Sequence, residues 1–148
     1  MRRRGRVCAL QILYQLDLAK SLEQGVSTRE IDKAIFAYWR SFETVGIEDQ
    51  DFAERLVHGV ARELSSIDTA LSGVSHHWKV NRMDKVDRNL LRLAAYEILR
   101  CKDIPRAASI NEAIEIAKRF SGNESAAFIN GILDQLVKDE GTSVSLGA

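Results

Sequence analysis

Residues 80–100 read VNRMDKVDRNLLRLAAYEILR, and the apolar positions in this stretch decide the fold. Val86, Leu90, Leu91, Leu93, Ala94, Ala95, Ile98 and Leu99 spread over much of a helical circumference instead of keeping to one stripe. A helix that is apolar on most sides must be surrounded by others. The segment is therefore expected to be the central helix of the second half of the chain. Its basic residues follow a separate rule. Lys85, Arg88 and Arg92 step by three and four and share one face, with Tyr96 four further along. Guanidinium groups in such a row can follow a nucleic-acid backbone, but pairing with Asp84 and Asp87 along a solvated face is the plainer expectation.

Outward from this segment, apolar residues keep helical spacing, and Pro105 is the sole proline, so the protein is expected to be all-helical. The run from Arg2 to Asp17 holds Val7, Leu10, Ile12, Leu13 and Tyr14. Ser27 or Thr28 can cap a second helix carrying Ile31, Ala34, Ile35, Tyr38, Trp39 and Phe42, ending near Gly46. Phe52, Leu56, Val60, Leu64, Ile67, Leu71 and Val74 form one continuous stripe, read as a single long helix. Ser75 to Trp78 reads as a break. Proline disfavours helix just before it, which leaves Lys102 to Arg106 as a loop, and Ser109-Ile110-Asn111-Glu112 then fits a capping box that starts a helix running to about Phe120. Gly122 and Asn123 separate it from a last helix over roughly Glu124 to Lys138. The expected fold class is all-α, with about six to seven helices in two packed three-helix subdomains, near 1–75 and 76–140, inside one domain, 1–140. Residues 141–148 are expected to form a flexible tail.

The 148 residues are about one domain, and 45% hydrophobic with 28% charged residues is ordinary globular composition. The apolar runs fall short of the ~20 residues needed to cross a bilayer, and the start lacks the long apolar segment of a signal peptide. A cytoplasmic protein is expected. Cys8 and Cys101 have no CxxC spacing and read as core residues, and His58, His76 and His77 have no metal-ligand spacing. Neither metal nor cofactor is expected. No GxSxG, glycine-rich phosphate loop or HExxH is present. The acids Glu48, Asp49, Asp51 and Glu54 suit a solvated helix start. No catalytic residue is assigned, and the protein is read as a non-enzyme.

The zero net charge hides a division: residues 1–6 carry +4, 7–77 carry −5 and 78–148 carry +1. Arg2, Arg3, Arg4 and Arg6 have no acidic neighbour before Asp17, while Gln11 and Tyr14 follow on nearby faces. Guanidinium, amide and aromatic groups in combination suit single-stranded RNA. Tyr14 serves the core and an RNA contact equally well on sequence.

RRRGRVCALQILY, VDRNLLRLAAYEIL, DIPRAASINEAIEIAKRF and FINGILD together resemble the NusB family of bacterial transcription antitermination factors, in the family's order, from Arg2 to about Val137. The resemblance implies an all-helical adaptor that pairs with a small-subunit ribosomal protein, NusE, binds the boxA element of ribosomal RNA leaders and helps RNA polymerase resist termination. It places Arg2, Arg3, Arg4, Arg6, Gln11 and Tyr14 on an RNA-binding start, Glu124, Phe128 and Asn130 on a second RNA patch, and Asp87 where the ribosomal protein docks. Val7 stands where the family often has an acid, and Ser125-Ala126-Ala127 lacks the basic side chains of some relatives. Gly5 lowers helix propensity by up to ~1 kcal/mol relative to alanine, so the arm is expected to order only on RNA.

Two alternatives differ in class. The domain also resembles the N-terminal region of certain rRNA cytosine methyltransferases; with the sequence ending at Ala148, an appended S-adenosylmethionine domain is not expected. A structural homodimer built on the apolar stripes would leave the arginine arm unexplained.

Overall fold

A computed structural model describes residues 2–22, 26–41, 45–75 and 79–147, with side chains to Glu140. Among these residues there are seven α-helices and no strand: α1 (Arg3–Leu18), α2 (Thr28–Ser41), α3 (Ile47–Arg62), α4 (Leu64–Val74), α5 (Lys85–Arg100), α6 (Arg106–Phe120) and α7 (Asn123–Gly147), with a 3-10 turn at Val80–Arg82. The all-α fold class holds.

α5 is the hub. Every residue from Arg88 to Ile98 is buried, and α1, α3, α4, α6 and α7 all pack on it. The broad apolar surface seen in the sequence is thus used on every side. α1 packs most extensively on α3, and α6 on α7. Arg6 of α1 meets Glu97 of α5 while Asp17 meets Arg88, so the two helices run antiparallel. Asp84, exposed, caps α5 by accepting hydrogen bonds from the backbone amides of Val86 and Asp87 at 2.7 and 3.3 Å.

Several boundaries depart from expectation. The stripe from Phe52 to Val74 is wholly buried as expected, but it belongs to two helices. The chain leaves helical geometry at Glu63 (φ −111°, ψ 25°), where the side chain turns out to take Arg100 at 2.8 Å. α6 begins at Arg106, directly after Pro105, and not at a capping box. Ser109 donates instead to Glu97 at 2.8 Å, and Glu112 accepts from Arg3. α2 is described as far as Ser41; Phe42 and the expected end of the helix beyond it lie outside the described residues. So do His76, His77 and Trp78 in the expected break. α7 continues through the segment read as a tail, reaching Gly147.

The basic face of α5 is the largest correction. Arg88 and Arg92 are 9% and 6% exposed, and neither tracks solvent nor pairs with the carboxylates of Asp84 and Asp87. Asp17 accepts from Arg88 at 2.7–3.0 Å, from Asn89 at 2.8 Å and from Arg92 at 3.3 Å, while Asp68 takes the other edge of Arg92 at 2.8 and 2.9 Å. Buried guanidiniums demand fixed carboxylates, and helices α1 and α4 supply them. Cys8 and Cys101 are free and buried, as expected.

Both kinds of packing, the close and the ionic, can be tested by substitution. A Cβ added at Gly59 would lie 2.1 Å from Tyr96 Cζ and 2.5 Å from both Cε atoms, with helix α5 backing the ring. Gly59→Ala should lower stability by about 1–3 kcal/mol in urea unfolding, despite alanine's better helix propensity; an unchanged or raised midpoint would show that α3 and α5 separate easily. Asp17→Ala takes the carboxylate from buried Arg88, while Arg92 keeps Asp68, and should cost about 3–5 kcal/mol in the same measurement.

Candidate nucleic-acid interface

The arginine cluster is helical from Arg3 onward, so it does not await a ligand to order. Gly5 explains how. It is buried against α3, where a Cβ would meet Asp49 O at 3.0 Å and Phe52 Cδ2 at 3.1 Å. The residue that weakens helix propensity is the one that lets α1 approach α3. Phe52 then lies beneath two guanidiniums, Arg2 at 4.7 Å and Arg6 at 5.2 Å from its ring centre.

The four arginines have different surroundings. Arg6 is 5% exposed and gives Nε and Nη2 to the two oxygens of Glu97 at 2.9 and 2.7 Å. Arg3 is exposed and donates from Nε and Nη2 to Glu112 at 3.2 and 2.7 Å. Arg2 lies 3.8 Å from Asp103, whose main partner is Arg55 at 2.6 Å; the Arg55 hydrogen bonds hold the Asp103 carboxyl at about 2. Arg4 is exposed and makes no side-chain hydrogen bond or ion pair among the described residues. The acids absent from the neighbouring sequence are thus supplied by α5, α6 and the loop between them.

Beyond the arm, Arg4, Gln11, Tyr14 and Leu18 fall on one face of α1, at i, i+7, i+10 and i+14. Gln11 and Tyr14 are half-buried, and Leu18 is 59% exposed. The Gln11 carbonyl oxygen accepts a hydrogen bond from the Tyr38 hydroxyl of α2, which fixes the amide's orientation. Burial raises the Tyr38 pKa well above the ordinary phenol value, so it remains a donor.

The second patch is rearranged. Asp87, Glu124 and Phe128 line one open pocket with Arg82, Met83, Asp84, Ser121 and Ser125, so the residue assigned to the protein partner adjoins two assigned to RNA. Asn130 is exposed but lies on a different face of α7 from Glu124 and Phe128, which are one turn apart. Ser125 donates to Asp87 at 3.2 Å and Ala126 is buried, accounting for two of the small residues in Ser125-Ala126-Ala127. The other Asp87 oxygen, Oδ1, is buried with no hydrogen-bond partner among the described residues.

Phe52, Glu97, Glu112 and Tyr38 position these groups, and none was singled out for that from sequence. Phe52 and Tyr38 showed only apolar periodicity, and Glu112 looked like a cap. No local signal marks Glu97 as the partner of an arginine 91 positions away.

Burial pushes the Asp87 carboxyl above its ordinary value, Asp84 adds repulsion, and the Ser125 and Ser121 hydroxyls pull it back. An acid with a raised folded pKa binds its proton more tightly when folded, so its protein loses stability as pH climbs from the unfolded value through the folded one. The advantage of Asp87→Asn over wild type should be small below about pH 4 and grow toward neutral pH, as read by urea unfolding across pH. An advantage independent of pH would assign the effect to packing.

The comparisons with known proteins cover most of the chain. The NusB family model matches residues 3–138. The transcription antitermination protein NusB of Anaeromyxobacter dehalogenans is 47% identical over 135 residues, covering 91% of this chain and 89% of that protein. The structure of T. maritima NusB superposes with a TM-score of 0.80 at 37% identity, covering 93% of this chain and 91% of that one. A chain from the crystal structure of antitermination factors NusB and NusE in complex with dsRNA matches with a TM-score of 0.76 at 23% identity, covering 93% and 96%, a likeness of fold. With that span of matching sequence and the same helical architecture, the chain belongs to the NusB family.

Proposed function

We propose that this protein is an RNA-binding transcription antitermination factor. In this reading it pairs with the ribosomal protein NusE, binds boxA-type single-stranded RNA in ribosomal RNA transcripts and joins the antitermination complex on RNA polymerase. The observation that carries the reading is the exposed face of α1. Arg2, Arg3 and Arg4 stand at its start, and the amide of Gln11 and the ring of Tyr14 follow along the helix. Cations at one end suit phosphates, and an amide with a half-exposed ring suits unstacked bases. Arg6 belongs to this patch as its anchor. Relatives named for transcription antitermination support the reading. Such work takes place in the cytoplasm, and no described helix is long and apolar enough to cross a membrane.

The second pocket serves the same function with other chemistry. Three carboxylates, Asp84, Asp87 and Glu124, stand against the single cation Arg82, so the pocket disfavours phosphate and fits groups that donate hydrogen bonds. Glu124 can accept from base amino groups while Phe128 offers a ring, and Asn130 on the adjoining face can both donate and accept. Asp87, whose buried oxygen lacks a partner among the described residues, suits a basic side chain of the ribosomal protein.

Fluorescence anisotropy with a boxA-type RNA and a scrambled control, across salt and with or without NusE, tests this. Wild type should prefer boxA, and NusE should strengthen the preference. Replacing Arg2, Arg3 and Arg4 by alanine should weaken boxA binding and flatten its salt slope by about 0.7 for each phosphate no longer neutralised. Equal, weak binding of both RNAs, indifferent to NusE, would overturn the reading.

A further inference from the structure

Glu112 holds the edge of Arg3 that a phosphate would need. Its two oxygens accept from Nε and Nη2, the bidentate arrangement a phosphate also adopts. We propose that Glu112 is a specificity-determining residue of the RNA interface: it occupies Arg3 in the free protein, and an RNA gains Arg3 only when contacts to its bases hold the strand in register. The proposal rests on the RNA-binding reading above.

The arm's geometry separates three kinds of arginine. Arg6 is committed, since Glu97 is itself 2% exposed and also takes the Ser109 hydroxyl. Arg4 is available to any polyanion that reaches it. Arg3 lies between these extremes, with a side chain 48% exposed, so it can swing to a new partner without disturbing the core. Its carboxylate cannot follow. Glu112 is only 14% exposed and stays on α6, with Arg6 Nη1 3.6 Å away. The Arg3 hydrogen bond holds the Glu112 carboxyl below the usual glutamate range, so it remains charged and competes with phosphate at neutral pH.

An RNA bound loosely through Arg4 and Arg2 has little to offset breaking the Arg3–Glu112 pair. An RNA whose bases also engage Gln11, Tyr14 and the second pocket is held where a phosphate can replace the carboxylate. Discrimination thus arises partly from an arginine denied to the wrong strand.

The test uses full-length protein and fluorescein-labelled boxA-type and scrambled RNAs, titrated across salt. Glu112→Gln leaves Arg6 on Glu97, and circular dichroism melting reports whether the fold is kept. The variant should bind scrambled RNA about two- to fivefold more tightly, the range of a partly exposed ion pair. Its salt slope for scrambled RNA should steepen by about 0.7, while the boxA slope stays at the wild-type value. Glu115→Gln, which removes the same charge from an exposed site on α6, controls for long-range electrostatics. Adding Arg3→Ala to Glu112→Gln should cancel the increase. Should the glutamine variant fail to fold, Glu112→Asp, which keeps the charge but draws it back by one methylene, should move scrambled binding in the same direction. Equal changes for both RNAs, or a Glu112→Gln effect matched by Glu115→Gln, would overturn the proposal while leaving RNA binding intact. Loss of boxA preference in wild type itself would overturn the functional reading and the proposal together.

Discussion

A helix enclosed on every side must find partners within the fold for each polar group it carries, and the buried span of α5 carries Arg88, Asn89, Arg92 and Glu97. Leaving any of the three ions, Arg88, Arg92 or Glu97, unpaired would cost several kcal/mol. The partners fix the arrangement of the other helices. Asp17 of α1 serves Arg88, Asn89 and Arg92; Asp68 of α4 serves Arg92; Arg6 of α1 and Ser109 of α6 serve Glu97. α1 is therefore tied to α5 at two points about 16 Å apart along its axis. Two such ties set both its direction and its rotation, and hence which face of α1 meets solvent.

That face is the candidate interface, so core and site are one construction. Arg6 belongs to both: its guanidinium satisfies Glu97 in the interior, and its stacking on Phe52 places Arg2 and Arg3 at the rim. The close approach of Gly5 to Phe52 completes the joint. An arm built this way presents its cations in a fixed pattern, which lowers the ordering cost of binding.

What the sequence made legible was the part governed by local periodicity. The apolar circumference of α5, the buried stripe through Phe52, Leu56 and Val60, and the all-α class all follow from spacing along one chain segment. Ion-pair partners do not. Lys85, Arg88 and Arg92 look like a solvated row beside Asp84 and Asp87, because only the tertiary fold reveals that Asp17 and Asp68 lie closer. The motif Ser109-Ile110-Asn111-Glu112 fails as a cap for a similar reason: both its polar ends gain more from charged groups on other helices than from local amides. At the candidate site, the residue types were readable, but their division into anchored, held and available arginines was not.

That division changes what the basic start of the chain means. Read as sequence, residues 1–6 form a block of +4. In the fold, Glu97, Glu112 and Asp103 stand against Arg6, Arg3 and Arg2 at 2.7, 2.7 and 3.8 Å. The field reaching solvent is accordingly smaller than four free guanidiniums would give. A block of free cations binds any polyanion, with an affinity set by salt and little regard for sequence. Partial internal neutralisation trades some of that attraction for geometry, so bases presented to Gln11, Tyr14 and the second pocket can weigh more heavily in the choice of strand.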